Sequence, residues 1–384
     1  MLKKDNFFKN NLVNSKKYYE NIKKTKKIYN CFLIDLKNFK IPLLESYEKD
    51  YKFDFSITTV KKYSKYKNLV IIGMGGSILG TKSIYSFLKK KIKKEVFFFD
   101  NLDPNLHLEY NKIKNLKNSC FIVVSKSGNT LETITNLNII FSESLLKNKL
   151  VIITELKDSS LLNIGRKFNA EIIEHKDFIG GRYSVLSEVG MFPAALMNLD
   201  VTKFKNLNKL IHNKNFVSSL INSVSSIYTL NQFGAKNSVI LNYDSQLNDL
   251  SLWQQQLIGE SLGKKGKGIT PIVSTCPKDH HSLLQLYLDG PRDKFFTFFS
   301  SSIKSGKKIE SIVNAQREAT KSIFRKEKIP YRHFIFKKND ESELGSIFTF
   351  FVLETILLSY LMNVNPYDQP AIDQVKIETK KFLR

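Results

Sequence analysis

The sequence predicts an α/β protein made of two doubly wound, mainly parallel-sheet domains with helical N- and C-terminal extensions. Three observations carry this reading. Short uninterrupted apolar runs alternate with amphipathic stretches, glycine-rich or hydroxyl-rich loops follow two of those runs, and the alternation starts afresh beyond residue 200. Apolar strands without a polar face, separated by helices, indicate a parallel sheet covered on both sides. A chain of 384 residues also exceeds what one hydrophobic core usually supports.

Residues 1–60 mix charges and aromatics at irregular helical spacing and read as a helical arm packed on the main body. Asn68-Leu69-Val70-Ile71-Ile72 reads as a buried strand, followed by a Gly-rich loop and a helix through Phe87. Cys120-Phe121-Ile122-Val123-Val124 repeats the pattern, with a helix from Leu131 to Leu146. Leu150–Thr154 and Ala170–Ile173 supply further strands. The second series has strands at Ser238–Tyr243, Phe295–Phe299 and His333–Phe336, with helices at 247–263 and 309–327 between them. The division that follows is an arm at 1–60, a first domain at 61–215, a second at 216–345 and C-terminal helices at 346–384.

Composition narrows the class. Hydrophobic content of 42% and charged content of 25% are ordinary for a globular enzyme. Cys31, Cys120 and Cys276 are scattered and odd in number, which supports neither a disulfide framework nor a zinc site and suits a reducing cytoplasm. The N-terminal residues are rich in Lys and Asn and lack the apolar core of a secretory signal. Leu344–Val364 is long and apolar, but Glu354 lies in its middle. A charge at the bilayer centre costs about 3 kcal/mol, so a buried core helix is expected and no membrane partner. The formal charge of +24 raises the question of nucleic acid. The lysines spread along the whole chain without a helix-turn-helix, zinc or RNP-type pattern, so no nucleic-acid partner is expected. A positive field would still draw in an anionic small molecule.

Both loops of the first domain lie where a strand ends and a helix begins, the edge at which open α/β sheets bind ligands. Helix starts there present unpaired N–H groups to an anion. Ser125, Ser127, Thr130 and Thr133 add hydroxyl donors without fixed charge, which suits a phosphate monoester. Each loop alone has a structural reading, as a tight turn or an N-cap. Gly73, Gly75 and Gly76 do not form the dinucleotide spacing, and no P-loop ending follows.

Four dense clusters occur in order: Gly73-Met74-Gly75-Gly76-Ser77, Ser125-Lys126-Ser127-Gly128-Asn129-Thr130, Gly180-Gly181-Arg182-Tyr183-Ser184-Val185-Leu186-Ser187, and Gln256-Leu257-Ile258-Gly259-Glu260-Ser261. Together they resemble the glucose-6-phosphate isomerase family, whose paired phosphosugar units are called sugar isomerase, or SIS, domains. The resemblance spans roughly residues 60 to 380. It implies reversible interconversion of glucose 6-phosphate and fructose 6-phosphate through a cis-enediol, in glycolysis and gluconeogenesis, by a cytoplasmic homodimer. No cofactor and no metal are implied. It places the sugar phosphate on Ser125, Lys126, Ser127, Thr130 and Thr133, and the sugar against Gly76, Ser77 and Gln256.

The chemistry needs a carboxylate held out of bulk water to carry a proton between neighbouring carbons. Glu260 lies near a helix end with Gln256 on the same face, and a surface pair with Lys264 is its structural alternative. The resemblance, with Gly259-Glu260-Ser261-Leu262-Gly263-Lys264 intact, makes Glu260 the base. An enediolate also needs a fixed cation beside it, worth about 3 kcal/mol. The resemblance assigns this to Arg182, which could otherwise pair with a buried carboxylate such as Glu188.

Ring opening needs a group that both donates and accepts protons, to which histidine is suited. In Asp279-His280-His281-Ser282 the family pattern selects His281, leaving His280 as a surface neighbour; a metal site on the His pair is the competing reading. The preceding Cys276-Pro277-Lys278 departs from the family's residues. Asn365-Pro366-Tyr367-Asp368-Gln369-Pro370 reads as a turn into a last helix, with Lys376 on a face able to pack inward. The resemblance makes Lys376 an assistant in ring opening. Two other functions fit the same motifs: a dual phosphoglucose/phosphomannose isomerase, and a non-catalytic phosphosugar-sensing SIS regulator, which would lack the Glu, Arg and His set.

Overall fold

The computed structural model describes residues 3–6, 8, 12, 14–140, 148–302 and 308–383. The chain starts with a short strand, β1 (Lys3–Asn6), and a 22-residue helix, Lys16–Lys37. The first sheet contains β2 (Asn68–Gly73), β3 (Glu95–Phe99), β4 (Ser119–Val124), β5 (Leu150–Thr154) and β6 (Glu171–Glu174). The second contains β7 (Asn237–Asn242), β8 (Thr270–Thr275), β9 (Lys294–Ser301) and β10 (Tyr331–Phe336). The described strands form two five-stranded sheets, ordered β3-β2-β4-β5-β6 and β1-β10-β9-β7-β8. All pairings are parallel except that of β1 with β10.

The sheets repeat one topology. In each, the first strand sends its first crossover to one side and the third strand lies on the other, so the strand order reverses between β2 and β4 and between β7 and β9. That reversal opens a crevice at the carboxyl edge, because the helices leave it in opposite directions. In the first sheet Gly73 aligns with Val124, so the loops after β2 and β4 leave the sheet side by side. The expected fold class is therefore the observed one.

Three strands, β1, β3 (Glu95–Phe99) and β8, stand outside the expected set. β1 adds an antiparallel edge strand to the second sheet, so the N-terminal arm is not helical throughout. β8 was not predicted: it is an edge strand, only partly buried, carrying Pro271, and shows no continuous apolar run. The predicted helix beginning at Leu131 is present as Leu131–Ile140, and its extension to Leu146 lies outside the described residues. The predicted domain limits at 215 and 345 fall near the starts of the helices Lys214–Gln232 and Glu341–Met362. Asn213 and Asp340 cap those starts by accepting the N–H of Phe216 and Glu343 at 3.0 and 2.8 Å.

The long apolar segment is a core helix, as expected. Glu341–Met362 is buried over most of its length among the helices Lys214–Gln232 and Asn248–Leu262. Trp253 meets Phe348 edge-on with centroids 4.7 Å apart. Glu354 is paired with Arg332 of β10, Nη2 to Oε2 being 3.0 Å, and both side chains are buried. Arg332 also donates to Thr297 at 2.9 Å and Ser223 at 2.6 Å. The helix Lys16–Lys37 packs on Lys214–Gln232, where Asn21 donates to Thr229 at 2.9 Å and to Gln232 at 2.8 Å.

Candidate active site

The glycine loop after β2 makes a short turn, Gly75–Ser77, before the helix Leu79–Leu88. A Cβ on Gly76 would lie 2.2 Å from the carbonyl carbon of Gly181, and one on Gly75, whose φ is +52°, would lie 2.8 Å from Nε2 of Gln256. At Gly76 no larger residue fits without parting two backbones, and at Gly75 the positive φ itself favours glycine. The glycines therefore serve contact between segments: they let the β2 loop, the Gly180–Arg182 loop and the helix Asn248–Leu262 meet at one point.

The hydroxyl loop lies beside it. Gly128, at φ +64°, closes the turn, and a Cβ there would come 2.2 Å from Ser159 Oγ. Ser125 and Thr130 share a hydrogen bond of 2.8 Å, and Ser127 Oγ accepts from the Asn129 N–H at 3.3 Å. The Thr133 hydroxyl is fully buried and, among the described residues, has no hydrogen-bond partner. A buried donor without a partner is costly, and an anion seated in this loop would relieve it. Lys126 makes contacts of its own within the protein. Its ammonium donates to the Asp177 carbonyl at 2.6 Å and lies 3.7 Å from Glu155. It thereby ties the hydroxyl loop to the segment leading into Arg182, and burial lowers its pKa.

Arg182 is 3% exposed and uses all five of its N–H donors. Nε donates to Ser261 Oγ at 2.9 Å; Nη1 donates to Glu260 Oε2 at 3.1 Å and Gln369 Oε1 at 3.3 Å; Nη2 donates to the carbonyls of Asp368, at 3.0 Å, and Pro366. Tyr183 reinforces the same corner, its hydroxyl lying 2.9 Å from both Ser261 Oγ and the Pro366 carbonyl. A guanidinium committed in this way cannot swing, so its charge is preorganised.

Glu260 receives the other contacts. Gln256 Nε2 donates to Oε1 at 2.8 Å while Arg182 holds Oε2, and the side chain keeps 24% exposure. The carboxylate is oriented on both oxygens yet open on one side, as a base needs to be. Both structural alternatives are excluded by geometry. Lys264 pairs with Asp368 at 3.2 Å, and Glu188 is held by the Tyr51 hydroxyl at 3.0 Å and the Asp54 N–H at 3.2 Å. The Gln256 Oε1 is buried and lacks a hydrogen-bond partner among the described residues.

Sequence reasoning missed Tyr183, Ser261 and Gln369 as the shell around Arg182. All three stand inside motifs already singled out, so the signal was present; what was lacking was the fold that folds the 365–370 turn onto residue 182.

His281 and Lys376 stand apart from this cluster. His281 is exposed, and among the described residues no hydrogen bond joins it to Arg182, Glu260 or Gln256. The reading of His280 as a surface neighbour is corrected: it is partly buried, with Nε2 2.7 Å from the Tyr243 hydroxyl. Burial lowers its pKa. The helix Pro370–Phe382 begins at Pro370 as expected but buries no residue, so the inward-packing face expected for Lys376 is absent within this chain; its ammonium pairs with Asp373 at 3.1 Å in solvent. An amphipathic helix needs a packing partner to bury an apolar face, and the described residues supply none here.

Paired parallel sheets with ligand loops at the strand-order reversal, and a guanidinium–carboxylate pair between them, define the tandem sugar-isomerase class of fold. The family model for phosphoglucose isomerase matches residues 54–276, more than half of the chain. A glucose-6-phosphate isomerase of Methanocaldococcus jannaschii is 33% identical over 353 residues, covering 85% of this chain and 87% of the relative. Among solved structures, a hypothetical protein of Thermus thermophilus superposes over 100% of both chains with a TM-score of 0.81 at 21% identity. A glucose-6-phosphate isomerase of Chlamydia trachomatis superposes over 84% of this chain and 70% of its own with a TM-score of 0.72 at 21% identity. The two structures share the fold. The chain belongs to the phosphoglucose isomerase family, and is an isomerase by that membership.

Proposed function

We propose that this chain interconverts glucose 6-phosphate and fructose 6-phosphate by moving one proton between C2 and C1, with Glu260 as the base. One observation carries the reading: the Glu260 carboxylate is held on one oxygen by Arg182 and on the other by Gln256, beside the glycine loop at the sheet's switch point. The phosphate sits on the hydroxyls of Ser125, Ser127, Thr130 and Thr133, and the sugar lies against Gly76 and Ser77. Lys126 holds that loop in place.

With the sugar open, Glu260 takes the C2 proton as the C2–H electron pair moves into the C1–C2 bond and the carbonyl pair moves onto O1. The cis-enediolate so formed carries its negative charge next to Arg182, which is fixed before the substrate arrives. The O2 hydroxyl proton passes to O1, which leaves the charge on O2; Glu260 then returns its proton to C1 as the O2 electron pair re-forms a carbonyl at C2, and the ketose results. No atom is gained or lost. Opening of the cyclic sugar falls to His281 and Lys376, and their exposure supports a homodimer in which the partner subunit completes the site. The chain works in glycolysis and gluconeogenesis in the cytoplasm.

Replacing Glu260 by Gln tests the base. Glu260→Gln keeps an acceptor beside Arg182 and removes the proton shuttle, so exchange of the C2 proton with solvent deuterium should fall by roughly 100- to 10,000-fold. Binding of sugar phosphate should persist. Exchange at the wild-type rate would reject the assignment. A coupled assay across hexose 6-phosphates, with and without chelator, gives the substrate range.

A further inference from the structure

We infer that His280 is a positioning residue: through Tyr243 it anchors the loop that presents His281. The inference rests on the ring-opening role proposed for His281, and assigns to its neighbour a task of its own.

The loop leaves the carboxyl end of β8. Asp279 ties it locally, its carboxylate accepting from the Thr275 N–H at 2.7 Å and the Ser282 hydroxyl at 3.2 Å. His280 reaches a different element. Its Nε2 lies 2.7 Å from the hydroxyl of Tyr243, just past β7, and the two rings meet edge-on at 5.6 Å. Tyr243 is 6% exposed and stacks on Phe298 of β9 with centroids 5.9 Å apart and planes 8° from parallel. The anchor therefore stands on the body of the second sheet.

The hydrogen-bond chain has one direction. Thr320 donates its hydroxyl proton to the Gln316 carbonyl at 2.8 Å, so toward Tyr243 it can only accept. Tyr243, 3.2 Å away, gives its single proton to Thr320. With that proton on Thr320, the tyrosine oxygen accepts from His280 Nε2. The ring of His280 is thus held at its Nε2 edge by a chain that ends on a backbone carbonyl. Residues 278–281 form one short helical turn, with the His280 N–H on the Pro277 carbonyl at 3.0 Å, so anchoring the His280 side chain holds the backbone from which His281 projects. His281 itself is exposed and makes no hydrogen bond to another described residue that would orient it. A proton-transfer group held on a fixed stem loses less freedom when the sugar ring arrives.

The experiment compares two substrates. Fructose 6-phosphate must be opened before isomerisation, whereas 5-deoxyfructose 6-phosphate has no hydroxyl able to close a ring and enters open. In His280→Leu and in Tyr243→Phe, kcat on fructose 6-phosphate should drop roughly 10- to 100-fold while kcat on the open analogue stays at the wild-type value. His280→Gln, which can still donate to Tyr243, should recover most of the loss. General damage to the fold would lower both rates together, and that result, or no change in either rate, overturns the proposal. His281→Ala separates this from the parent reading. If it lowers the ratio and His280→Leu does not, the anchor is wrong and the ring-opening role stands; if it leaves the ratio unchanged, the ring-opening role fails and takes the anchor with it.

Discussion

At the scale of single residues, the site is governed by where charges find partners. Arg182 meets one side chain that can carry charge and several neutral acceptors, so its positive charge is only partly answered within the protein. That residual charge suits an anionic intermediate. His175 shows the opposite case. It follows β6, is 1% exposed, and uses Nδ1 against the Lys176 carbonyl at 3.1 Å while its Nε2 is buried without a partner among the described residues. Burial holds its pKa down to about 4 from an ordinary value of 6.5. The fold therefore favours the neutral ring. Above about pH 6.5 its stabilisation is fully present; it declines as pH falls, and is lost once pH passes the folded value near 4. Loss of about 3 kcal/mol across this window, read by urea unfolding, should be flattened in His175→Gln. An unchanged slope in the variant would assign the acid sensitivity to other groups. His175 opens the segment leading to Gly180–Arg182, so this titration and the site share a loop.

At the scale of elements, the core helix Glu341–Met362 is kept in register by one buried ion pair. Glu354 and Arg332 are 3% and 1% exposed, and Thr297 and Ser223 accept two further arginine N–H groups. Removing one partner strands a buried charge, so Glu354→Ala should cost about 3–5 kcal/mol in equilibrium unfolding. Replacing both, as in Arg332→Met with Glu354→Leu, should restore most of that stability, since desolvation then disappears with the charges. A double variant as unstable as the single one would mean that the pair contributes net stability beyond its own desolvation.

At the scale of the whole molecule, the exposed His281 and the unburied helix carrying Lys376 lead to a prediction about assembly. A dimer whose sites each take Glu260 from one subunit and His281 from the other can be tested by mixing. Glu260→Gln and His281→Ala subunits, each strongly impaired alone on the cyclic sugar phosphate, should on exchange recover about a quarter of wild-type activity on it, because half of the dimers are mixed and each has one intact site. No recovery after proven exchange would place both residues in the same subunit's site. The exposed apolar side chains Val375, Ile377 and Phe382 on the last helix are the kind of surface that a second subunit covers.

What the sequence alone determined was local. Uninterrupted strands, glycine turns and a hydroxyl-rich helix start are demands of neighbouring residues on one another, and they announced two wound sheets and the hydroxyl loop, while the family resemblance singled out the motifs holding Glu260 and Arg182. Tertiary structure decided the partners. Whether Arg182 pairs with Glu260 or Glu188, whether Lys264 takes Glu260 or Asp368, that Lys126 braces a loop, and which of two adjacent histidines is held by the body of the protein all depend on segments far apart in the chain. β1 and β8 escaped for the same reason, since an edge strand needs little apolar character of its own when a neighbour supplies the ladder. Spacing along a chain carries no record of which remote carboxylate, carbonyl or hydroxyl will arrive within 3 Å, because that distance is set by the packing of whole elements.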